Sequence, residues 1–231
     1  VDTETTGLNP WQSKLLGLSF SWKDSQGWYV VATEERLDAL RPILENPKIE
    51  KIGHNMKFDA EMLRMSGIRM EPLTFDTMLA SYLLNPTTRQ HSLDALAFAE
   101  FRYEMMPISA LIGPRGKKQL SMEDVPLDKL AWYSSEDADF TWRLYGRLKP
   151  KLDAMNIAGL FHDIEMPTAE VLVDVELTGI TVDKEFLKEM SKRVHAELKK
   201  AEQKIYKLAG GEFNINSPIQ LKEVLFTKLK I

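Results

Sequence analysis

The chain has 231 residues, 44% hydrophobic and 28% charged, with a formal net charge of −4 and no cysteine. That is enough to bury a core in one or two domains. The missing cysteines exclude disulfides, thiolate zinc sites and Cys nucleophiles. The slight acidity excludes a generally basic binder but not nucleic acid, because bound cations and local Lys and Arg can supply a positive field. No uninterrupted apolar run approaches the roughly 18 residues a membrane span needs, and no signal peptide is visible. The reading is a cytoplasmic protein with no membrane partner.

The chain opens at Val1 without a methionine, beside the acidic pair Asp2 and Glu4, and reads as a fragment cut in or just before its first strand. On a strand, Asp2 and Glu4 leave the same face. Residues 14–20 and 28–33 are short and apolar with a turn at 24–27 between them, which predicts an antiparallel hairpin or meander. Residues 34–46 are predicted helical, with Leu37, Leu40 and Leu44 on one stripe. A strand over 49–53 delivers His54 and Asn55 to a helix start. A strand over 72–75 then leads to Asp76, placed to cap a helix over 77–84. Helix 92–101 follows, then a loop-rich stretch with a basic tip at Arg115, Lys117 and Lys118, then a long helix to about residue 154. Strands interleaved with helices argue for an α/β layered architecture.

From residue 160 the pattern turns wholly helical. Asp183 can cap a helix in which Leu187, Met190, Val194, Leu198, Ala201, Ile205 and Leu208 recur at three- and four-residue steps. Gly210-Gly211 ends it, and Ser217-Pro218 starts another. The division expected is a first domain over 1–155 and a helical segment over 156–231.

Asn55 and Asp59, like Tyr133 and Asp137, are four apart and share a helix face. Carboxylates converging from separate elements repel one another unless cations lie among them. Oxygen-only ligation suits Mg²⁺ or Mn²⁺, and two such ions roughly 4 Å apart suit in-line attack on a phosphodiester. Tyr133 could orient the water through its hydroxyl. Each pair alone reads as solvated acids or a packed tyrosine; the three together, in this order, read as a site. Asp76 reads as a cap, Asp94 as solvated, and Glu136 and Asp139 as lying on other helix faces. His54 serves the site or packing equally well. The tip at Arg115, Lys117 and Lys118 serves equally as a phosphate contact or a solvated loop.

At these residues the chain resembles the 3′–5′ exonucleases of the ribonuclease H-like fold. Residues 2–8 (Asp-Thr-Glu-Thr-Thr-Gly-Leu) are similar to their first motif, Asn55 to Asp59 to the second, and Tyr133 to Asp137 to the third, in the tyrosine-bearing form. Residues 164–167, 176–183 and 213–218 are similar to the segment that follows this domain in bacterial family A DNA polymerases, the start of the thumb. The resemblance implies a mixed central sheet flanked by helices, followed by helical thumb, with palm and fingers absent and polymerisation not expected. It implies that Asp2, Glu4 and Asp137 ligate the nucleophile-side ion, with Asp2 shared between ions, and that Asp59 holds the second ion through water. Tyr133 would position the nucleophilic water and Leu8 would wedge near the terminal base. Asn55 and Lys57 would contact the departing nucleotide, while Phe58 packs in the core. The partner implied is a single-stranded or frayed 3′ end of DNA, and nothing demands more than a monomer. Two alternatives stay open: an RNA-trimming exonuclease of the same subgroup, and a non-catalytic nucleic-acid-binding module.

Overall fold

In the computed structural model, which describes residues 1–114, 116 and 119–231, the acidic pair lies on strand β1 (Asp2–Thr5). Arg115, Lys117 and Lys118, the predicted basic tip, lie outside the described residues. β1 pairs antiparallel with β2 (Leu15–Lys23), and β2 with β3 (Gln26–Val31). The register sets Asp2 opposite Ser19 and Glu4 opposite Gly17, while Ser19 faces Tyr29 across the next ladder. A second pair, β4 (Lys51–Gly53) and β5 (Leu73–Asp76), is parallel. The two pieces meet where the Val1 nitrogen donates to the Ile52 carbonyl at 2.7 Å. The antiparallel meander is as the sequence predicts, and the mixed strand directions implied by the resemblance are present as two pieces, one antiparallel and one parallel.

Helix α1 (Glu34–Leu44) starts at Thr33, whose hydroxyl accepts from the Arg36 amide. α2 (Met56–Met65) follows β4, and α3 (Thr77–Leu84) follows β5. Asp76 is the predicted cap of α3, accepting from the amides of Met78 at 2.8 Å and Leu79 at 3.3 Å. It also receives the amides of Asn55 at 3.1 Å and Met56 at 2.8 Å, so one buried carboxylate tethers the starts of two helices. α4 (Leu93–Phe101), α5 (Ser109–Ile112) and a short turn at Met122–Asp124 lead to α6 (Leu127–Ala154). α6 lies along β2 and β3 and buries Leu130, Phe140, Leu144, Leu148 and Leu152. At the core's centre Phe75 packs edge-on against Tyr145 (4.9 Å between centroids) and at a tilt against Phe161 (4.7 Å).

The chain divides into two compact units, Val1–Gly179 and Ile180–Ile231. The boundary expected near residue 155 falls inside the first unit, because α7 (Ala158–Leu160), the irregular turn Phe161–Glu165 and α8 (Met166–Thr178) complete its core. Phe161, Met166 and Val173 are all buried, and α8 lies on α2 and β5.

The second unit is helical. α9 (Lys184–Ala209) starts at Asp183, whose Oδ1 accepts from the Phe186 amide at 2.9 Å. It ends at Gly210, held at φ 70, where a side chain would be strained. α10 (Pro218–Lys222) starts at Ser217 with proline at its first position, and a wider turn at Glu223–Lys228 follows. The predicted stripe of Leu187, Met190, Val194 and Leu198 is exposed. Among the described residues no helix is long and apolar enough to cross a membrane.

Candidate active site

Strand alternation sends Asp2 and Glu4 to one face of β1, and one helical turn brings Tyr133 and Asp137 of α6 over that face. Carboxylate oxygens of Asp2, Glu4 and Asp137 lie within 4.8 Å of one another. The approach of α6 depends on Gly27 in β3: a Cβ there would stand 2.6 Å from the Ser135 carbonyl oxygen and 3.0 Å from its Cα. Only glycine lets the helix come down this far.

Asp59 arrives by another route. It sits in the first turn of α2 and meets the edge of β1, where Thr3 donates twice to its Oδ1, from the backbone amide at 3.0 Å and from the hydroxyl at 2.6 Å. Asp59 is 3% exposed. The two Asp76 bonds to Asn55 and Met56 fix the start of that helix, with Asn55 itself in the left-handed region at φ 61.

The electrostatics follow from burying like charges together. Burial pushes Glu4 up to about 9, and the neighbouring Asp2 and Asp137 add to it. Burial likewise raises Asp2 to about 6. Asp59 and Asp137 are held well above the ordinary aspartate value, first by burial and then by the charge of Asp2. Tyr133 is pushed up by burial and by the carboxylates of Asp137, Glu4 and Asp2, so its hydroxyl stays protonated at neutral pH. Such a set cannot all ionise in one place unless cations neutralise it. The donor chemistry (hard oxygens, several charges, small separation) fits a divalent cation held by Asp2, Glu4 and Asp137.

Beside Glu4 opens a cleft of about 530 Å³ with Thr5, Leu8, Phe58, Ile108 and Ile112 in its walls. Leu8 is 87% exposed on the loop after β1. Of the other expected contacts, Asn55 is exposed at the start of α2, whereas the Lys57 ammonium is engaged by Glu176 of α8 at 2.5 Å and Glu61 at 3.5 Å. His54 bonds Thr77 at 2.9 Å. Glu136 accepts from Tyr103 and the Met106 amide, and Asp139 pairs with Arg143 at 2.7 Å, so both stand outside the cluster. Sequence reasoning passed over Thr3, whose only signal is its place between two acids. It also passed over Tyr29, which burial and the charges of Glu4 and Asp2 raise to about 12.

Residues 1–153 match the family model described as 3′-5′ exonuclease, and residues 184–231 match that of DNA polymerase family A. Among curated proteins, DNA polymerase I of Chloroflexus aurantiacus is 40% identical over 100% of this chain and 25% of its own length. DNA polymerase I of Pseudomonas aeruginosa is 35% identical over 99% of this chain and 26% of its own length. The chain thus spans about a quarter of these relatives. Among solved structures, the POL domain of Pol1 from M. smegmatis, in complex with DNA primer-template and dNTP, superposes with a TM-score of 0.76 at 25% identity, covering 95% of this chain and 35% of that one. Brucella melitensis NrnC bound to pGG gives a TM-score of 0.65 at 22% identity, covering 77% and 83%, a likeness of fold. With its acidic strand, its helix-borne tyrosine and aspartate, and these matches, the chain belongs to the 3′-5′ exonuclease family, in the form whose relatives are bacterial DNA polymerases I.

Proposed function

We propose that this exonuclease proofreads DNA, hydrolysing the 3′-terminal phosphodiester of a single-stranded or frayed end and releasing nucleoside 5′-monophosphates. The setting would be the bacterial cytoplasm, with the protein a monomer. The observation that carries the reading is the meeting of Asp2, Glu4 and Asp137 within 4.8 Å, next to an open cleft with apolar walls.

Two divalent ions, Mg²⁺ or Mn²⁺, would activate water and neutralise the leaving oxygen. Asp2, Glu4 and Asp137 would hold the nucleophile-side ion, with Asp2 shared. Asp59, kept in line by Thr3, would hold the other through water. Tyr133 would orient the attacking water as a neutral hydroxyl. The water oxygen bonds to phosphorus as the bond to the preceding 3′ oxygen breaks, and that oxygen leaves with a proton. Leu8 would wedge beside the terminal base, where stacking and apolar contact accept any base. Asn55 would meet the departing nucleotide, and Lys57 could join it by leaving Glu176.

A gel time course on a 3′-mismatched primer, in Mg²⁺ and in EDTA, tests this with Asp59→Ala as the variant. Metal-dependent laddering from the 3′ end, lost in the variant while its circular dichroism is unchanged, is the expected result. Near-normal turnover by the variant would remove Asp59 from the machinery. Faster trimming of an RNA oligomer would favour the RNA reading.

A further inference from the structure

Behind the acidic cluster lies a hydroxyl with no partner among the described residues. Tyr29 stands opposite Ser19 in the register, yet its ring leans along the sheet and lays the phenol over Gly17. A Cβ built on Gly17 would lie 2.2 Å from the Tyr29 Oη and 2.3 Å from Cζ, so the missing side chain is a notch that the phenol fills. Gly17 is the cross-strand partner of Glu4. Directly opposed residues in an antiparallel pair share a face, with Cβ atoms about 5 Å apart. The phenol therefore reaches the flank of Glu4 from within the sheet, while Tyr133 and Asp137 approach from α6. The Oη is buried and makes no hydrogen bond among the described residues. Ser19 Oγ, opposite Asp2, and Ser134 Oγ are likewise buried and unpaired, so the phenol is one of several polar groups around the acids with hydrogen-bonding capacity to spare, and it is the one that lies over the partner of Glu4.

We propose that Tyr29 is a positioning residue for Glu4: its hydroxyl donates to the Glu4 carboxylate when that carboxylate holds a divalent cation. An ionised carboxylate has lone pairs to spare after ligating one ion, and an outer hydrogen bond fixes which oxygen faces the metal. Gly17 is part of the device because any larger residue would close the notch. This rests on the reading of Asp2, Glu4 and Asp137 as ion ligands.

Mn²⁺ titration by calorimetry, with thermal melts in EDTA and in Mn²⁺, separates the possibilities for wild type, Tyr29→Phe, Gly17→Ala and Asp137→Asn in the full chain. Tyr29→Phe removes only an unpaired hydroxyl, so its melting temperature in EDTA should equal or exceed that of wild type. Its Mn²⁺ affinity should fall about tenfold, in the range for a hydrogen bond to a charged group. The rise in melting temperature on adding Mn²⁺ should shrink in step. Gly17→Ala should reproduce the loss of affinity, and if it fails to fold, Tyr29→Phe decides alone. A residue that merely packs would give the opposite pattern, a lower melting temperature in EDTA with Mn²⁺ affinity unchanged. That result, with Mn²⁺ bound by wild type and lost in Asp137→Asn, overturns the role of Tyr29 alone. Wild type that binds no Mn²⁺ overturns the ion-site reading and this proposal with it.

Discussion

Glu4 is 6% exposed and shares its space with two other carboxylates, so its proton is harder to remove in the folded chain than in the unfolded one. Burial first, then Asp2 and Asp137, moves it from an ordinary 4.5 to about 9; burial moves Asp2 from 3.8 to about 6. Asp59 and Asp137 shift in the same direction. A carboxyl whose folded value is raised contributes its full stability below its unfolded value and loses it as the pH climbs through the folded one. The metal-free protein should therefore lose stability steadily from about pH 4.5 towards pH 9. Saturating Mg²⁺ replaces the protons and should flatten that slope, with protons released on binding. Melts at several pH values in EDTA and in Mg²⁺ measure both effects. A metal-free profile that rises between pH 5 and 9 would contradict the crowding of these acids.

At the level of elements, the site depends on a helix lying against a sheet at a glycine. Gly27 is the contact, and the atoms that a Cβ would meet are the Ser135 carbonyl oxygen, Cα and Cβ, none of which a change of rotamer moves aside. Gly27→Ala should lift α6 from β3, costing about 1–3 kcal/mol in urea unfolding. Turnover should fall further than stability, about tenfold or more, because Tyr133 and Asp137 ride on the displaced helix. Unchanged turnover in a destabilised variant would show that this contact does not aim the pair. The same distinction explains what the sequence made legible. Asp2 with Glu4, and Tyr133 with Asp137, can be read from spacing because each pair lies within one element whose period is fixed. Thr3 clamping Asp59, Tyr29 filling the notch at Gly17 and Asp76 tethering α2 all depend on which residues face each other between elements. Lys57 shows the same limit: Glu176, 119 positions away, takes its ammonium, and no local pattern announces that.

For the whole molecule, the change to purely helical sequence from residue 160 suggests a boundary near residue 155, whereas the compact units divide at Gly179. Phe161 is fully buried against Phe75, and Met166 and Val173 carry α8 onto the same core. α8 also ties itself to the site-bearing elements: Glu170 accepts from the Leu73 amide at 2.9 Å, Asp174 pairs with Arg64 and Glu176 with Lys57. Losing one buried aromatic to alanine costs about 3–5 kcal/mol, a large share of a domain's net stability. A chain ending at Met155 loses Phe161, Met166 and Val173 together and leaves Phe75 facing water, so it should fail to unfold cooperatively and should bind hydrophobic dyes. One ending at Gly179 keeps the first unit whole, together with every residue assigned here to the acidic cluster. It should melt in a single transition and retain the melting shift produced by Mn²⁺. Equal behaviour of the two truncations would mean that α8 is an appendage, and Phe75 would then owe its burial to α3 and α6 alone.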